Sequence, residues 1–219
     1  MNKDDKPLIF LGSGGHAAVL ADILLKQGRE IVAVFSPHET NIKEVFKDIP
    51  FYKNDADLIK FDSNKFMLVN AIGRLTTSKA RLNMAYNSFT NGFKFSSVIS
   101  DYAYIAPSAE IEEGVHILPF AIIQSDAFIG HHSIVNSGAI IEHGCRIGRL
   151  NHIATGAKIC GDVVTKDNVF IGAGSTVIQQ VSIDENSVIG AGITIHEDIP
   201  KNTFVKPNGS LLKKEKIRL

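Results

Sequence analysis

Hydrophobic residues follow one spacing of six positions through the second half of the chain. Counted in sixes from Ile105, every position as far as Ile159 is isoleucine or valine, and after Thr165 the series resumes from Ile171 to Ile195. A period of six fits neither an α-helix nor a simple strand and is typical of a parallel β-helix built from hexapeptides. We therefore expect these residues to point inward, with three hexapeptides (about eighteen residues) forming each triangular coil.

Small side chains dominate the position four residues after each inward one, where we expect the chain to turn a corner. Cys145 occupies one of these positions and Cys160 follows the inward Ile159, so structural roles suit both thiols better than a nucleophilic one. Two cysteines form no disulfide framework, and a reducing cytoplasm is the expected location.

The first half of the chain alternates strand and helix patterns instead. We predict strands over 8–12, 30–36, 66–73 and 93–100, and helices over 15–27 and 76–92. Strand, helix and strand in short succession predict an α/β unit with a small, Rossmann-like parallel sheet. We place the domain boundary near residue 98, with the α/β domain at 1–98 and the β-helix, with its C-terminal tail, at 99–219.

Charge and hydropathy exclude several classes of function. Lysine and arginine total 23 and are matched by 23 acidic residues, which argues against a general nucleic-acid binder. The apolar runs are too short for a transmembrane helix, and the two acids before the first apolar run do not suit a signal peptide.

A glycine-rich turn, Gly12-Ser13-Gly14-Gly15-His16, joins the first predicted strand to the first predicted helix. Such a turn lets a ligand approach the backbone, and the helix N-terminus offers N–H groups to a phosphate. The second strand ends in Phe35-Ser36-Pro37, without the acidic residue that would bind the ribose of NAD. The turn therefore favours a phosphate-bearing ligand other than a nicotinamide dinucleotide.

Two histidines lie in a run with distinctive spacing. Asn136 is followed by Ile140-Ile141-Glu142-His143-Gly144-Cys145 and then by His152. An imidazole suits proton removal near neutral pH, so His143 is the candidate general base. The remaining histidines, which we expect at the surface and not in a metal site, are His38, His116, His131, His132 and His196.

Together, the hexapeptides, the glycine turn and the histidine run resemble the left-handed β-helix sugar acetyltransferases. The resemblance is to the bacillosamine-pathway N-acetyltransferase and sialic acid O-acetyltransferase type. It implies direct transfer of an acetyl group from acetyl-CoA to the amine of a nucleotide-linked 4-amino-4,6-dideoxy sugar for surface glycans. It places His143 and Glu142 in the catalytic motif. The acid that usually follows this histidine is replaced by Gly144, so a carboxylate from elsewhere, such as Asp126, would have to substitute.

The resemblance also implies binding residues and an assembly. The nucleotide sugar would meet Gly14, Gly15, His16, Ser36, Pro37, Gly73 and Asn136, and acetyl-CoA would meet His152, Gly172, Ala173, Gly190 and Ala191. His143 and His152 are nine residues apart, which is half a coil, so they should lie on different sides of one chain. We therefore expect a homotrimer in which a second subunit completes each active site.

Three other functions stay open on the sequence. A sugar hydroxyl could accept the acetyl group, because the same histidine base would serve. Gly144 and Ser36 keep a non-catalytic hexapeptide scaffold open as well. A metal-dependent hydratase of the carbonic anhydrase type would need three well-placed histidines, and His116, His131 and His132 do not form a convincing set.

Overall fold

The structure is a computed structural model that describes residues 6–37, 43–73, 81, 92–206 and the backbone of 211–213. The chain divides into two compact units, Met1–Val98 and Ile99–Leu219. Apart from Arg81 and Gly92, the helix predicted over 76–92 lies outside the described residues, as does His38.

Four parallel strands form the sheet of the first unit, in the order β3-β2-β1-β4. The elements of this unit are β1 (Leu8–Leu11), α1 (Gly15–Lys26), β2 (Ile31–Phe35), β3 (Phe51–Tyr52) and β4 (Met67–Val69), with 3₁₀ helices at Glu44–Phe46 and Asp55–Lys60. All four residues of β1 are buried, as expected for a central parallel strand. Helix α1 buries one stripe, Ala17, Leu20, Ala21 and Leu24, at helical spacing.

Two parts of this unit differ from the sequence prediction. Phe51–Tyr52 forms an unpredicted edge strand, and the Tyr52 ring stacks on Phe35 at 4.8 Å between centroids. Residues 93–100 do not form one strand. Phe95 makes a single parallel bridge to Leu68, and Val98–Ile99 forms a separate strand, β5, in a sheet of the β-helix. The segment is divided because its two ends pair with different neighbours.

Sixteen two-residue strands, β6 to β21, build the β-helix of the second unit. They run in order as Tyr104–Ile105, Glu110–Ile111, His116–Ile117, Ile122–Ile123, Phe128–Ile129, Ile134–Val135, Ile140–Ile141, Arg146–Ile147, His152–Ile153, Lys158–Ile159, Val164–Thr165, Phe170–Ile171, Thr176–Val177, Ser182–Ile183, Val188–Ile189 and Thr194–Ile195. β22 (Thr203–Val205) continues one side, and β23 (Leu211–Lys213) pairs with it in the antiparallel sense.

Every third strand pairs in parallel, which produces three sheets. Their orders are β19-β16-β13-β10-β7, β23-β22-β20-β17-β14-β11-β8-β5 and β21-β18-β15-β12-β9-β6. We call them the five-, eight- and six-stranded sheets. Paired residues, such as Phe128 and Arg146, are eighteen apart in the chain, which is the predicted length of a coil. The predicted fold class, a small parallel sheet followed by a parallel β-helix, is confirmed.

The inward positions form a continuous aliphatic core. From Ile117 to Ile195, every residue in the series of sixes is buried, including Thr165, whereas Ile105 and Ile111 in the first coil are partly buried. Each stacked side chain buries apolar surface against the coil above it and the coil below it. This removal of apolar surface from water is the main source of stability for such a fold.

Thr165 interrupts the aliphatic series because it belongs to a buried polar network. The Asn151 side-chain amide donates to Thr165 Oγ1 at 2.7 Å, and the Val169 N–H donates to Asn151 Oδ1 at 2.5 Å. One coil earlier, Ser133 Oγ donates to the Gly148 carbonyl at 2.8 Å and accepts from the Asn151 N–H at 3.0 Å. These bonds satisfy polar groups that burial would otherwise leave unpaired at a cost in stability.

Candidate functional site

The predicted nucleotide-sugar residues of the first unit gather at the carboxyl ends of neighbouring strands. The glycine turn follows β1, Ser36 and Pro37 follow β2, and Gly73 lies beyond β4. Because β2, β1 and β4 are adjacent and parallel, these segments share one edge of the sheet. That edge is where open α/β sheets bind their ligands.

The glycines of this edge differ in what surrounds them. Gly12 has φ +114°, and an ideal Cβ on it would lie 3.1 Å from the Ala71 carbonyl carbon, so the fold itself requires glycine there. A Cβ on Gly73 would lie 3.3 Å from the Cβ of His16, which shows how closely the two loops approach. Gly14 and Gly15 are exposed, and a Cβ on either would meet nothing within 4 Å. Contacts among the described residues therefore do not explain those two glycines.

His16 stands in the first turn of α1 beside a cation that the sequence analysis missed. Burial first, and then the positive charge of Arg81, lower the pKa of His16 to about 3, so its ring is neutral at pH 7. The Arg81 guanidinium is buried, and its Nη1 donates to the carbonyls of Asn70 at 2.5 Å and Ile72 at 2.9 Å. Arg81 lies in no recognisable motif, so only its position beside the loop after β4 draws attention to it.

Ser36 and Pro37 occupy the end of β2. Ser36 is buried, and its N–H donates to the Tyr52 carbonyl at 2.9 Å, whereas Pro37 is exposed. The edge strand Phe51–Tyr52 thus fixes the backbone at the place where a dinucleotide-binding domain would have its acid.

His143 lies at the turn between β12 and β13, at a corner of the β-helix, with an exposed side chain. Its ring lies over the backbone of Gly161 in the next coil. An ideal Cβ on Gly161 would be 2.6 Å from His143 Cε1 and 2.8 Å from Nε2. Glycine at 161 is therefore needed for this ring position. The contact between positions 143 and 161 could have been predicted from the sequence, because the two residues are one coil of eighteen residues apart.

His152 lies in β14 of the eight-stranded sheet, so the two histidines occupy different sides of the chain, as their spacing predicts. Its Nε2 is 3.2 Å from Asn136 Nδ2, and the Phe170 ring meets the His152 ring edge-on at 5.1 Å. The side chain is largely buried, with a relative exposure of 9%. The structure thus brings Asn136 and His152 together, and it places His143 elsewhere.

The predicted acetyl-CoA ledge is formed by two stacked Gly-Ala-Gly corners, 172–174 and 190–192. Ala173 and Ala191 are exposed, and an ideal Cβ on Gly172 would lie 2.5 Å from the carbonyl carbon of Gly190. The Gly192 N–H donates to the Ala173 carbonyl at 2.9 Å. In the described part of the chain, the amides of Ala173 and Ala191 have no backbone acceptor. The ledge therefore combines close contact between coils with exposed alanines whose amides make no backbone hydrogen bond among the described residues.

The other histidines depart in part from their predicted surface position. His116 is fully buried in β8, so that prediction was wrong for it, because the outward positions of the eight-stranded sheet are covered at this level. His131 Nε2 is 3.2 Å from Glu112 Oε1, and His196 is exposed. Among the described residues, no group of three or more His, Cys, Asp or Glu side chains is placed to hold a metal ion.

The Cys145 thiol is a packing group. Burial, the largest effect, raises its pKa to about 11, and its Sγ lies 3.1 Å from the Cys160 carbonyl oxygen. A thiol of that kind remains protonated at neutral pH and makes a poor nucleophile.

Within the described ranges, none of the helices has the length and the apolar character that crossing a membrane requires.

Two family models match parts of the chain. Residues 7–85 match the PglD N-terminal domain, and residues 167–197 match the hexapeptide repeat of succinyl-transferase. The first match covers the parallel sheet and the glycine turn, and the second covers the coils that carry the Gly-Ala-Gly ledge.

Solved structures resemble the chain over nearly its full length. The acetyltransferase domain of PglB from Neisseria gonorrhoeae FA1090, in complex with acetyl coenzyme A, is 25% identical with a TM-score of 0.82, over 93% of this chain and 97% of that chain. A histidine-to-alanine mutant of GDP-perosamine N-acetyltransferase from Caulobacter crescentus, in complex with CoA and GDP-perosamine, is 23% identical with a TM-score of 0.80, over 94% and 96%. WeeI from Acinetobacter baumannii AYE is 16% identical with a TM-score of 0.66, over 94% and 99%. The last two similarities establish the fold alone.

Proposed function

We propose that this chain is a hexapeptide-repeat acyltransferase of the bacillosamine-pathway type, as its two family matches and its structural neighbours support, and that it catalyses one specific reaction. It transfers the acetyl group of acetyl-CoA to the amine of a nucleotide-linked 4-amino-4,6-dideoxy sugar, for surface glycan synthesis. The observation that carries this proposal is the exposed imidazole of His143, which glycine at 161 allows to lie over the backbone of the next coil. Because both proposed substrates are cytoplasmic metabolites, we propose that the protein acts in the cytoplasm.

The edge of the parallel sheet supports binding of the nucleotide sugar. Among the described residues, nothing fills the space beside Gly14 and Gly15 at the N-terminus of α1, where backbone N–H groups can bind a diphosphate. His16 is neutral at pH 7, so we assign it a hydrogen bond to the ligand and not a full positive charge. Ser36, Pro37 and Gly73 border the same edge and would contact the rest of the nucleotide.

The chemistry requires one base and no covalent enzyme intermediate. The sugar amine attacks the thioester carbonyl, and His143 takes the proton that the amine loses as the C–N bond forms. The tetrahedral intermediate then breaks its C–S bond, and the imidazolium returns the proton to the departing CoA sulfur. Glu142 precedes His143 and is half-buried, and we keep it as part of the catalytic motif.

The Gly-Ala-Gly ledge supports a position for acetyl-CoA. The amides of Ala173 and Ala191, which have no backbone acceptor among the described residues, would hydrogen-bond the pantetheine arm, while Gly172 and Gly190 keep the coils close. His152 and Asn136 would serve a neighbouring subunit, because His143 lies on another side of its own chain. We therefore propose a homotrimer with sites between subunits, which sedimentation at micromolar concentration would test.

The test is thiol release from acetyl-CoA with UDP-, dTDP- and GDP-linked 4-amino-4,6-dideoxy sugars. Wild type, His143→Ala and the matched control His196→Ala are compared, since His196 is also an exposed histidine of the β-helix. We expect turnover with one acceptor, a loss of about 10²-fold or more in His143→Ala, and no loss in the control.

The same assay separates the alternatives. Full activity in folded His143→Ala would remove His143 from the mechanism and leave substrate positioning as the main effect. Turnover only with a sugar hydroxyl would identify an O-acetyltransferase. No turnover and no acetyl-CoA binding would favour a non-catalytic scaffold.

A further inference from the structure

The side chain of Asp162 occupies the space beside His143 that an acidic residue at position 144 would otherwise take. An ideal Cβ on Gly144 would overlap Asp162 Oδ1 and lie 3.3 Å from Asp162 Cγ. A carboxylate from the next coil thus stands against the backbone of the residue that follows His143. Glycine at 144 and aspartate at 162 are complementary, because a side chain at 144 would displace that carboxylate.

The stacking of the coils fixes this arrangement. The Asp162 N–H donates to the His143 carbonyl at 3.0 Å, and the Gly144 N–H donates to the Ser125 carbonyl at 3.1 Å. Asp126, Gly144 and Asp162 are equivalent corner residues of three successive coils, with φ of +59°, +69° and +60°. Left-handed backbone at this corner is therefore compatible with aspartate as well as with glycine.

The direction of the side chains distinguishes Asp162 from the other acids. The His143 ring leans over Gly161, toward the following coil, and the Asp162 side chain leans back toward Gly144. Asp126 is one coil behind, on the side from which the ring leans away. Glu142 adjoins His143 in an extended segment, where successive side chains point to opposite sides.

We propose that Asp162 is the positioning residue for His143, in place of the acid missing at position 144. This inference rests on the proposed function. When His143 takes the proton of the attacking amine, the Asp162 carboxylate stabilises the imidazolium and restrains the orientation of the ring. Among the described residues the two side chains form no direct ion pair, and catalytic contacts of this kind often tighten only when substrate is bound.

The charged environment of His143 is small and can be tested one group at a time. The ionisable groups at this corner, in the coil of His143 and in the two coils stacked against it, are Asp126, Glu142, Cys145, Cys160 and Asp162, and the exposed Arg146 begins the strand that follows the corner. Asp162→Asn removes one negative charge and keeps the shape. Asn168 and Asn186, at φ +59° and +60°, show that asparagine fits the left-handed corners of this protein.

The experiment compares Asp162→Asn with Asp126→Asn, its rival on the same corner, and with Glu185→Gln, a distant exposed acid that controls for net charge. We expect Asp162→Asn to lower kcat by about tenfold or more with little change in KM. The acid limb of its pH–rate profile should move to lower pH, because a neighbouring anion favours the protonated imidazole. A purely structural role would not move that limb.

A double variant that exchanges the residues at positions 144 and 162 tests whether the position of the carboxylate matters. Asp162→Gly with Gly144→Asp moves the carboxylate from position 162 to the residue that follows His143 and keeps the net charge. We expect the swap to recover most of the lost kcat and to restore the pH–rate profile. A folded swap variant as slow as Asp162→Asn would overturn the proposal, and so would Asp162→Asn with the profile of Glu185→Gln. A displaced profile in Asp126→Asn alone would assign the role to Asp126 instead.

An NMR measurement keeps the inference separate from the proposed function. The His143 ring signals, assigned by their loss in His143→Ala, are followed in the protein saturated with CoA. We expect them to broaden in Asp162→Asn, because the ring loses its restraint, and to stay unchanged in Glu185→Gln. Signals that match in the two variants would overturn the role of Asp162, even if the enzyme acetylates amino sugars. Broadened signals without any turnover would support the restraint and refute the proposed reaction.

Discussion

An ideal Cβ on Gly172 in the β-helix would lie 2.5 Å from the backbone of the next coil, whereas one on Gly15, in the turn after β1, would meet nothing within 4 Å. Glycine at 172 thus has a structural cause, whereas contacts among the described residues give none for glycine at 15. Glycine in the β-helix allows two stretches of its own backbone to approach each other. Glycine at the N-terminus of α1 leaves an approach to the backbone open, and a bound ligand would explain it.

The hydrophobic cores of the β-helix and of the first unit also differ, because only the β-helix repeats. The buried cluster of the β-helix is aliphatic apart from one cysteine, Cys145, because each inward position must stack on its counterparts above and below. The buried cluster of the first unit includes Phe35, Phe93 and Phe95, whose rings fill an irregular space once only. Repetition demands similar shapes, and a non-repeating core does not.

The largest effect should come from a side chain placed between two coils. Gly172→Ala would set a methyl group against the backbone of Gly190 and Ala191, which cannot rotate away. We expect a loss of about 3 kcal/mol or more in the free energy of unfolding, measured by urea denaturation. A variant as stable as wild type would show that the coils can separate at this ledge, and would weaken the contrast between the two kinds of glycine.

The next effect concerns the single polar interruption of the repeat. Thr165→Val removes the acceptor of the Asn151 amide inside the β-helix, and we expect a cost of about 1–3 kcal/mol. Adding Asn151→Ser should recover most of it, because serine at the equivalent place one coil earlier, Ser133, bonds to the backbone by itself. Equal stability of the single and double variants in thermal unfolding would contradict this coupling.

A smaller effect should appear only on acidification, in the first unit. Above the ordinary histidine pKa of 6.5, His16 is neutral in both the folded and the unfolded chain. As pH falls from 6.5 toward the folded-state pKa of about 3, only the unfolded chain takes up the proton, so stability decreases. We expect His16→Gln to flatten this dependence, by up to about 2 kcal/mol at pH 5, in thermal unfolding from pH 7.5 to 4.5. His196→Gln, an exposed histidine, should leave the pH dependence unchanged.

The smallest change in stability should accompany a clear change in binding. Gly15→Ala places a methyl group in open space at the first turn of α1, so we expect the free energy of unfolding to change by less than about 1 kcal/mol. The same methyl group should weaken binding of the nucleotide-linked amino sugar, which calorimetry would measure. Unchanged affinity would argue against backbone contact between this turn and the ligand.

The sequence predicted an element of the structure well where its hydrophobic signal recurs many times, and poorly where the signal occurs once. The β-helix could be predicted almost strand by strand, because the inward position repeats sixteen times and one exception, Thr165, cannot hide the period. Phe51–Tyr52 was missed because an edge strand of two residues carries no period of its own. Residues 93–100 were read as one strand because composition does not reveal a change of pairing partner.

The candidate site was predicted unevenly for a related reason. His143, His152 and the glycine turn belong to linear motifs and could be read directly from the chain. The importance of Gly161 and Asp162 depends on which way side chains lean between coils, and spacing alone cannot give that direction. The coil length of eighteen residues does, however, predict that Gly161 and Asp162 stack against positions 143 and 144.

Because strands pair in an eighteen-residue register, the inward positions of each coil depend on the number of residues in all the coils before it. Deleting one residue from a strand would turn every later inward side chain outward, until a compensating insertion restored the phase. Pairs such as His143 and Gly161 would be separated by that shift even though neither residue had changed. Changes in length that preserve this fold should therefore fall at the corners, where they leave the strands in phase, or add and remove whole coils of eighteen residues.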